Sequence, residues 1–260
     1  LYHFVPIANG GKVLMALHDK GIPFESRWVD LHKFEQHSPE FLSLNPEGQV
    51  PVLVHDGVVI THTSVINEYL EDAFPDTPPL RPSAPLEIAR MRQWNKYIDD
   101  KVMEAVSVHG WQRNAAAVGR ALSDEEFEAK MQRIPLKKQQ VKWRNARKGF
   151  AQELLDDCTT QVEEAVDRVE AALADGPWLL GEFFSLADIN FFAYCGFGLA
   201  AMFPGIGTEQ RCPRLLNWVE RIKQRPGCAR ALAVKAPARP PPTRILQSIQ
   251  MPRTMRERRG

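Results

Sequence analysis

The hydrophobic and polar positions divide the chain into two parts that differ in periodicity. In residues 1–75, short apolar runs alternate with helical patterns, and their order predicts β-α-β-α-β-β-α. Strands are expected at residues 1–5, 24–29, 52–54 and 58–60, and helices at residues 10–20, 38–44 and 64–74. The first part is therefore predicted to be an α+β domain in which a small sheet carries helices.

Strand signals disappear after residue 75. Residues 75–85 contain five prolines, which predict a stiff linker over residues 76–85. Beyond it, 3.6-residue periodicity predicts helices at residues 86–108, 139–157, 159–174 and 213–225, with further helices starting after Ser123 and Ser185. Residues 86–235 are thus expected to form an all-α domain. Residues 236–260 are rich in proline and arginine and are predicted to be a loosely packed or disordered tail.

Composition excludes several classes of function. The chain of 260 residues has 33 basic and 32 acidic residues, so its balance gives no electrostatic case for a nucleic-acid partner. No apolar run approaches the roughly 18 residues of a membrane span. The four cysteines show no metal-ligand spacing, and no metal site is expected. Unpaired cysteines are typical of the reducing cytoplasm, where the protein is expected.

The segment of residues 45–53 predicts a binding device. Pro51 interrupts a buried run, and proline in such a place marks a sheet edge, a bulge or a cis bond. A cis bond after Val50 would end the strand early and turn the backbone groups of Val50 outward, where an extended peptide could pair with them. Thr63 and Ser64 open a helix whose free N–H groups favour a carboxylate. Together these features predict a site for a small anionic peptide.

The element order resembles a thioredoxin-like domain joined by a linker to a helical domain, as in the glutathione transferases. The resemblance covers roughly residues 1–235 and rests on the Val50-Pro51 element, the polar helix start at residues 63–64 and a capping box of Ser185 with Asp188. Within that superfamily the chain is similar to the lignin-degrading β-etherases. The similar segments are residues 33–38, 45–51, 68–72, 123–127 and 142–144, of which the last two lie in a helical insertion.

The resemblance implies the roles of individual residues toward glutathione as co-substrate. Val50 would pair with the cysteinyl backbone and Thr63 would bind the γ-glutamyl carboxylate, unless Thr63 is only a helix cap. The other glutathione contacts implied are Gln36 and His37 at the glycine carboxylate, with Gln49, Pro51, His62 and Ser64 in the same two binding segments. Thiolate stabilisation falls to Asn9 and Gly10, helped by the N–H of Gly11, at the start of the first helix.

Two positions depart from the family pattern. Gly10 stands where a serine is expected in the β-etherases, and His62 stands where most of the superfamily has a glutamate that pairs with the glutathione α-ammonium. A protonated histidine would repel that ammonium. The hypothesis is that glutathione binds more weakly here, or that the chain depends on a partner subunit.

The acceptor substrate is expected between the domains. Its candidate contacts are Ile7, His109, Trp111, Trp143 and Phe150, which could present aromatic walls and a polar group. Alternatively, the two tryptophans belong to the core.

The function implied by the resemblance is glutathione-dependent cleavage of β-aryl ethers of aromatic ketones, with release of a phenol. Two alternatives stay open, namely another electrophile such as a thioether or halide, and a catalytically weak supporting subunit of a heterodimer. A homodimer is expected, and a heterodimer with a paralogue is the alternative.

Overall fold

The computed structural model describes residues 1–196 and 198–236, so residues 237–260 of the predicted tail lie outside the described residues. The strands β1 (Tyr2–His3), β2 (Arg27–Trp28), β3 (Val52–His55) and β4 (Val58–Thr61) form one sheet in the order β2-β1-β3-β4. Strand β1 pairs in parallel with β2 and antiparallel with β3, while β3 and β4 form a hairpin. The predicted α+β thioredoxin-like domain is confirmed.

The hairpin turn follows directly from its two central residues. Asp56 has φ 49° and Gly57 has φ 77°, and two successive positive φ angles are what a tight type I′ turn requires. The register places Val54 opposite Val59 and His55 opposite Val58. An aspartate followed by a glycine between apolar runs is therefore sufficient to predict this connection.

The helices of the first domain surround the sheet. They are α1 (Ala8–Asp19), α2 (Pro39–Leu44) and α3 (Thr63–Ala73), with 3₁₀ turns at Leu31–Lys33 and Glu35–His37. Helix α2 starts as predicted, because the Ser38 hydroxyl accepts the Phe41 N–H at 3.2 Å and Pro39 occupies the first helical position. The two 3₁₀ turns were not predicted. The second of them contains Gln36 and His37, which are both buried.

A buried ion pair fixes the linker onto the first domain. The Lys20 ammonium donates to the Glu71 carboxylate at 2.8 Å, and this carboxylate also accepts the backbone N–H groups of Leu80 and Arg81 at 3.2 Å. Leu186 N–H of the second domain donates to the Leu80 carbonyl at 2.8 Å. The proline-rich segment is thus held at both domains through its backbone.

The second domain is helical, as predicted. Its helices are α4 (Pro85–Tyr97), α5 (Met103–Gly110), α6 (Ala116–Arg120), α7 (Asp124–Arg133), α8 (Lys137–Lys148), α9 (Gln152–Ala172), α10 (Leu186–Cys195), α11 (Leu199–Met202), α12 (Pro213–Lys223) and α13 (Pro226–Leu232). Wider π-helical turns at Ile98–Val102 and Trp111–Ala115 join α4, α5 and α6 end to end. The helix predicted at residues 86–108 is therefore part of a longer helical segment that continues to Arg120.

The predicted break between residues 157 and 159 is wrong. The chain turns at Gly149, whose φ of 107° lies outside the helical region, and α9 then runs without interruption. The hydroxyl groups of Thr159 and Thr160 do not disturb it, because they donate to the carbonyls of Leu155 and Asp156 one turn earlier.

Helix α13 follows the predicted helix at residues 213–225 and was not itself predicted. Pro226 stands at the first helical position, where its missing N–H is not needed. Helix α13 packs against α1. The two approach so closely that a Cβ on Gly227 would lie 2.2 Å from Asp19 Oδ1.

The main hydrophobic core extends across both domains. It joins the buried face of α1, including Leu14 and Leu17, to α10 residues such as Ile189 and Phe192. A smaller cluster of Tyr2, Val29, Phe41, Leu44 and Val52 lies between the sheet and α2. A third cluster consists of Phe34, Phe127, Met131, Ile134 and Trp143. It packs α7 and α8 onto the first domain.

The described residues provide no evidence for a membrane span or a metal centre. No helix within residues 1–196 and 198–236 is both long and apolar enough to cross a bilayer. In the same residues, no group of three or more His, Cys, Asp or Glu side chains is placed to hold a metal ion.

The start of α10 depends on one buried carboxylate. Asp188 is fully buried and accepts the N–H of Leu179, the N–H of Ser185 and the indole N–H of Trp218, each at 2.9 Å. The Ser185 hydroxyl also donates to it at 3.2 Å. Burial raises the pKa of Asp188 and these four donors lower it; burial prevails, and the pKa is about 6.

We expect Asp188→Asn to lower the free energy of unfolding by about 2–3 kcal/mol, because an amide N–H₂ would then face buried donors. Chemical denaturation measures the change. The matched control is Glu126→Gln in the exposed capping box at the start of α7, where water can replace the lost acceptor and little change is expected. Equal effects of the two substitutions would contradict the buried role of Asp188.

Candidate functional site

The start of α1 presents unpaired backbone donors. Ile7 is the N-cap residue and forms no side-chain cap, and Ala8 enters the helix with φ 51°. Gly11 N–H donates to the Ile7 carbonyl at 3.2 Å. The expectation that Gly11 N–H serves a ligand is therefore wrong. Asn9 and Gly10 precede this first helical hydrogen bond, so their N–H groups have no partner within the helix.

Gly10 occupies a position with no space for a side chain. A Cβ atom there would lie 2.6 Å from the Val5 carbonyl oxygen. A serine at this position would require the loop before α1 to move. The departure from the expected serine thus has a local steric counterpart in this chain.

Asn9 is the polar side chain at this helix start. It is half-buried, and its Oδ1 accepts the hydroxyl of Tyr194 at 2.5 Å. Tyr194 lies on α10, so this hydrogen bond joins the two domains. The carboxamide nitrogen of Asn9 is a hydrogen-bond donor, which suits an anionic sulfur.

Lys12 follows one turn later and is 2% exposed. Its ammonium donates to Asp99 Oδ1 at 3.0 Å and to Thr63 Oγ1 at 3.5 Å, and it lies 4.4 Å from the centre of the Tyr194 ring. Burial lowers the pKa of Lys12, and Asp99 partly offsets that effect. The ion pair of Lys12 with Asp99 lies in the seam between the two domains, beside the start of α3.

Helix α3 begins at Thr63 with His62 as its N-cap residue. The alternative that Thr63 is the cap is therefore wrong, because Thr63 is the first helical residue. His62 is exposed, has φ 66° and forms no side-chain cap. Ser64 donates its hydroxyl to Asp99 Oδ2 at 2.5 Å. Its side chain is thus engaged with the second domain.

The predicted peptide-pairing segment lies next to β3. The Val50-Pro51 bond is cis, which is one of the three possibilities that the sequence left open, and β3 begins only at Val52. The Gln49 carbonyl accepts the Asn45 side-chain amide at 2.8 Å, which holds the preceding turn. Gln49 and Val50 are half-buried and Pro51 is buried.

Gln36 and His37 are buried rather than exposed in a loop. Their exposed fractions are 6% and 1%. The guanidinium of Arg133, on α7, donates to the His37 carbonyl at 3.1 Å. Burial and, to a smaller extent, the charge of Arg133 together lower the pKa of His37 to about 4, so the ring is neutral at neutral pH. Helices α7 and α8 thus determine what these two side chains can reach.

Trp143 belongs to the third cluster. It is 5% exposed, and its ring lies 4.7 Å from that of Phe34 and 5.0 Å from that of Trp111. This packing favours the alternative of a core residue for Trp143. Trp111 is half-buried at the margin of the same cluster, so its contact with a substrate stays a prediction.

His109 contacts the first turns of α9, and Phe150 precedes that helix by two residues. His109 Nε2 lies 3.1 Å from the Leu155 carbonyl oxygen and 3.2 Å from Thr159 Oγ1. Phe150 packs against the main core. Ile7 is 41% exposed beside Asn9. The substrate roles of Ile7 and of the four candidates in the helical domain stay predictions.

Sequence reasoning missed Lys12, Asp99, Tyr194 and Asn190. Asn190 donates its side-chain amide to Asp99 Oδ1 and to Asn95 Oδ1, both at 3.2 Å. A signal existed for two of them, because Lys12 precedes the apolar run 13–17 and Asn190 lies inside the apolar helix α10. A polar residue at such a position must find a buried partner. The partner itself could not be identified from the sequence.

Comparison with known proteins gives matches along most of the chain. The N-terminal domain model of the glutathione S-transferases matches residues 9–73, and their C-terminal domain model matches residues 152–221. Protein LigF of Sphingobium sp. is 43% identical over 235 residues, which are 87% of this chain and 90% of that protein. The probable glutathione S-transferase parC of Nicotiana tabacum is 30% identical over 238 residues, covering 89% of this chain and 88% of its own.

A solved structure agrees with these matches. The crystal structure of beta-etherase LigF from Sphingobium sp. strain SYK-6 superposes on this chain with a TM-score of 0.86 at 42% identity. The superposition covers 88% of this chain and 96% of that chain. The similarity thus includes both domains.

We expect Asp99→Asn to destabilise the fold more than Lys12→Met. The first leaves a buried ammonium without its counter-ion and is expected to cost about 2–3 kcal/mol. The second leaves a carboxylate that is 30% exposed and still has Ser64 and Asn190 as donors, and is expected to cost about 1 kcal/mol. Denaturant unfolding of both variants and of the double variant measures the coupling. Strictly additive losses would show that the ion pair does not hold the seam.

Proposed function

The chain belongs to the glutathione S-transferase family, and we propose that it cleaves β-aryl ether bonds of lignin-derived aromatic ketones with glutathione as co-substrate. The observation that carries the proposal is the half-buried Asn9 at the open start of α1. The similarity to beta-etherase LigF over both domains supports the substrate class. We propose glutathione as the co-substrate and no metal cofactor.

The proposed reaction is a displacement. The glutathione thiol loses its proton to solvent, and the thiolate attacks the carbon that bears the aryloxy group, beside the ketone. A carbon–sulfur bond forms while the carbon–oxygen bond breaks with its electron pair, and the aryloxide takes a proton to become a phenol. No oxidant or reductant is needed. The products are a glutathione thioether and a free phenol.

The start of α1 supplies what the thiolate needs. A thiol has an ordinary pKa of about 8.5, so most of it is protonated at neutral pH unless donors stabilise the anion. Asn9 Nδ2 and the N–H groups before Gly11 are such donors, and the positive end of the helix dipole adds to them. Asn9 and Gly10 are proposed as the residues that contact the sulfur.

The remainder of the proposed glutathione site lies along β3 and α3. Val50 would pair with the cysteinyl backbone, with Gln49 and Pro51 shaping the segment. Thr63 would bind the γ-glutamyl carboxylate at the open helix start, where the Lys12 ammonium lies 3.5 Å from its hydroxyl. We propose that Ser64 acts there through its backbone, because its hydroxyl is engaged with Asp99.

The glycine end of glutathione is the less defined part. Gln36 and His37 are proposed to lie near the glycine carboxylate. Both are buried, which limits the surface that either side chain offers to a ligand. For the aromatic substrate, Ile7, His109, Trp111 and Phe150 are proposed contacts. Trp143 is proposed to pack against Trp111 and hold its ring in place. A cytoplasmic homodimer is the expected state.

A second candidate is a supporting subunit of a heterodimer with a paralogue. Two observations favour it, namely Gly10 in place of a serine and His62 in place of the glutamate that would pair with the glutathione ammonium. Another electrophile on the same site, a thioether or a halide, is the remaining alternative.

The full chain, incubated with glutathione and each enantiomer of a β-aryl ether ketone, should release phenol from one of them. Asn9→Ala is expected to lower kcat by about 10- to 100-fold with little change in glutathione affinity, because the donor acts mainly on the anion. The matched control is Asn114→Ala at an exposed helical position. Glutathione binding without phenol would favour another electrophile, and absence of both would favour the supporting subunit.

We expect His62→Glu to tighten glutathione binding by roughly 3- to 10-fold, since a carboxylate would replace a side chain that cannot neutralise the α-ammonium. Isothermal titration at neutral pH measures the change. His62→Gln is the control, because it retains a hydrogen-bond acceptor without a charge. An affinity unchanged by the glutamate would show that the glutathione ammonium does not lie at the start of α3.

A further inference from the structure

Tyr194 brings a hydroxyl from the helical domain to the site at the start of α1. Its O–H donates to Asn9 Oδ1 at 2.5 Å, although the two residues are separated by 185 positions in the chain. Tyr194 is 6% exposed and lies on α10, in which residues 186–195 are all buried. The tyrosine is therefore held in place by the core, while Asn9 is half-buried.

We propose that Tyr194 is a positioning residue that orients the Asn9 carboxamide so that its nitrogen donates to the glutathione sulfur. This inference rests on the proposed function. A carboxamide carries its acceptor and its donors on opposite edges. Once Oδ1 is held by the tyrosine, Nδ2 faces the other way. In the reverse orientation Oδ1 would face the sulfur anion and repel it.

Tyr194 is suited to donate rather than to accept. The Lys12 ammonium lies 4.4 Å from the centre of its ring, and a cation there withdraws electron density and strengthens the O–H donor. Burial raises the pKa of Tyr194 well above its usual value, with Asp99 and Cys195 acting in the same direction. The charged or titratable groups around the Tyr194 side chain are Lys12, Asp99 and Cys195. The Tyr194 hydroxyl stays protonated at neutral pH.

The same contact links the site to the seam between the domains. Lys12, which covers the Tyr194 ring, also bonds to Asp99 and to Thr63. A displacement of α10 relative to α1 would therefore loosen Asn9 and the start of α3 together. This arrangement gives the helical domain a part in thiolate formation without any contact between Tyr194 and glutathione.

The test is a titration of the bound glutathione thiol by ultraviolet absorbance of the thiolate. The variants are Tyr194→Phe, Asn9→Ala and the double variant, in the full chain saturated with glutathione. Tyr194→Phe should raise the pKa of the bound thiol by about 0.5–1 unit, the equivalent of one hydrogen bond, which lowers the ratio of thiolate to thiol roughly three- to tenfold at any given pH. Tyr97→Phe is the matched control, since Tyr97 is a half-buried tyrosine stacked by Arg168.

The double variant decides whether Tyr194 acts through Asn9. If it does, Tyr194→Phe adds nothing once Asn9 is alanine. No shift in Tyr194→Phe, or a shift of equal size in both Asn9 backgrounds, would overturn the inference. If the chain binds glutathione and lowers the pKa of its thiol, but Tyr194→Phe leaves that pKa unchanged, this inference alone is wrong. A chain that binds no glutathione defeats the proposed function.

A second measurement needs no variant of Tyr194. The Asn9 side-chain amide, assigned by its loss in Asn9→Ala, should have an order parameter near the value of about 0.85 typical of rigid backbone, measured by nuclear magnetic resonance relaxation of the free protein. An order parameter below about 0.6 would show that the tyrosine does not hold the carboxamide. This result stands even if Tyr194→Phe fails to fold.

Discussion

The ion pair of Lys12 with Asp99 is the constraint on which the arrangement of the site depends. An ammonium that is 2% exposed within an apolar helix face requires a counter-charge, because an unpaired buried cation is strongly unfavourable. The counter-charge is Asp99 of the helical domain, whose Oδ1 lies 3.0 Å from the Lys12 Nζ. Its Oδ2 accepts the Ser64 hydroxyl. Since one carboxylate serves α1 and α3 together, the starts of both helices have a defined position relative to the second domain.

Positive backbone φ angles also occur at the starts of α1 and α3. Among the described residues other than glycine, the positive φ angles belong to Ala8, Phe34, Asp56 and His62. Asp56 is explained by the hairpin turn. The other three lie at the start of α1, beside Gln36 and His37, and at the start of α3, which are the three segments proposed to hold glutathione. Such conformations are unfavourable for these residue types and concentrate where a structure binds a ligand.

Local interactions were predictable from the sequence, and contacts between distant segments were not. The turn at Asp56-Gly57 and the capping box of Ser185 with Asp188 each depend on residues fewer than five positions apart. Asn9 and Thr63 could be placed at helix starts for the same reason. Asp99 is 87 positions from Lys12, and helical periodicity says nothing about which carboxylate will meet it. The burial of His37 was equally hidden, because it depends on the packing of α7 and α8 against Phe34.

The steric limit at Gly10 restricts which groups could stabilise the thiolate in the proposed reaction. A serine at this position could have offered its hydroxyl to a sulfur anion. Here a Cβ would meet the Val5 carbonyl at 2.6 Å, so the backbone itself occupies that space. The Asn9 side chain and the backbone N–H groups at the helix start are then the donors left for the proposed glutathione sulfur. A single flexible carboxamide could turn either edge toward an anion. Its orientation consequently matters more in this chain than where a hydroxyl, which can rotate to donate, supports it.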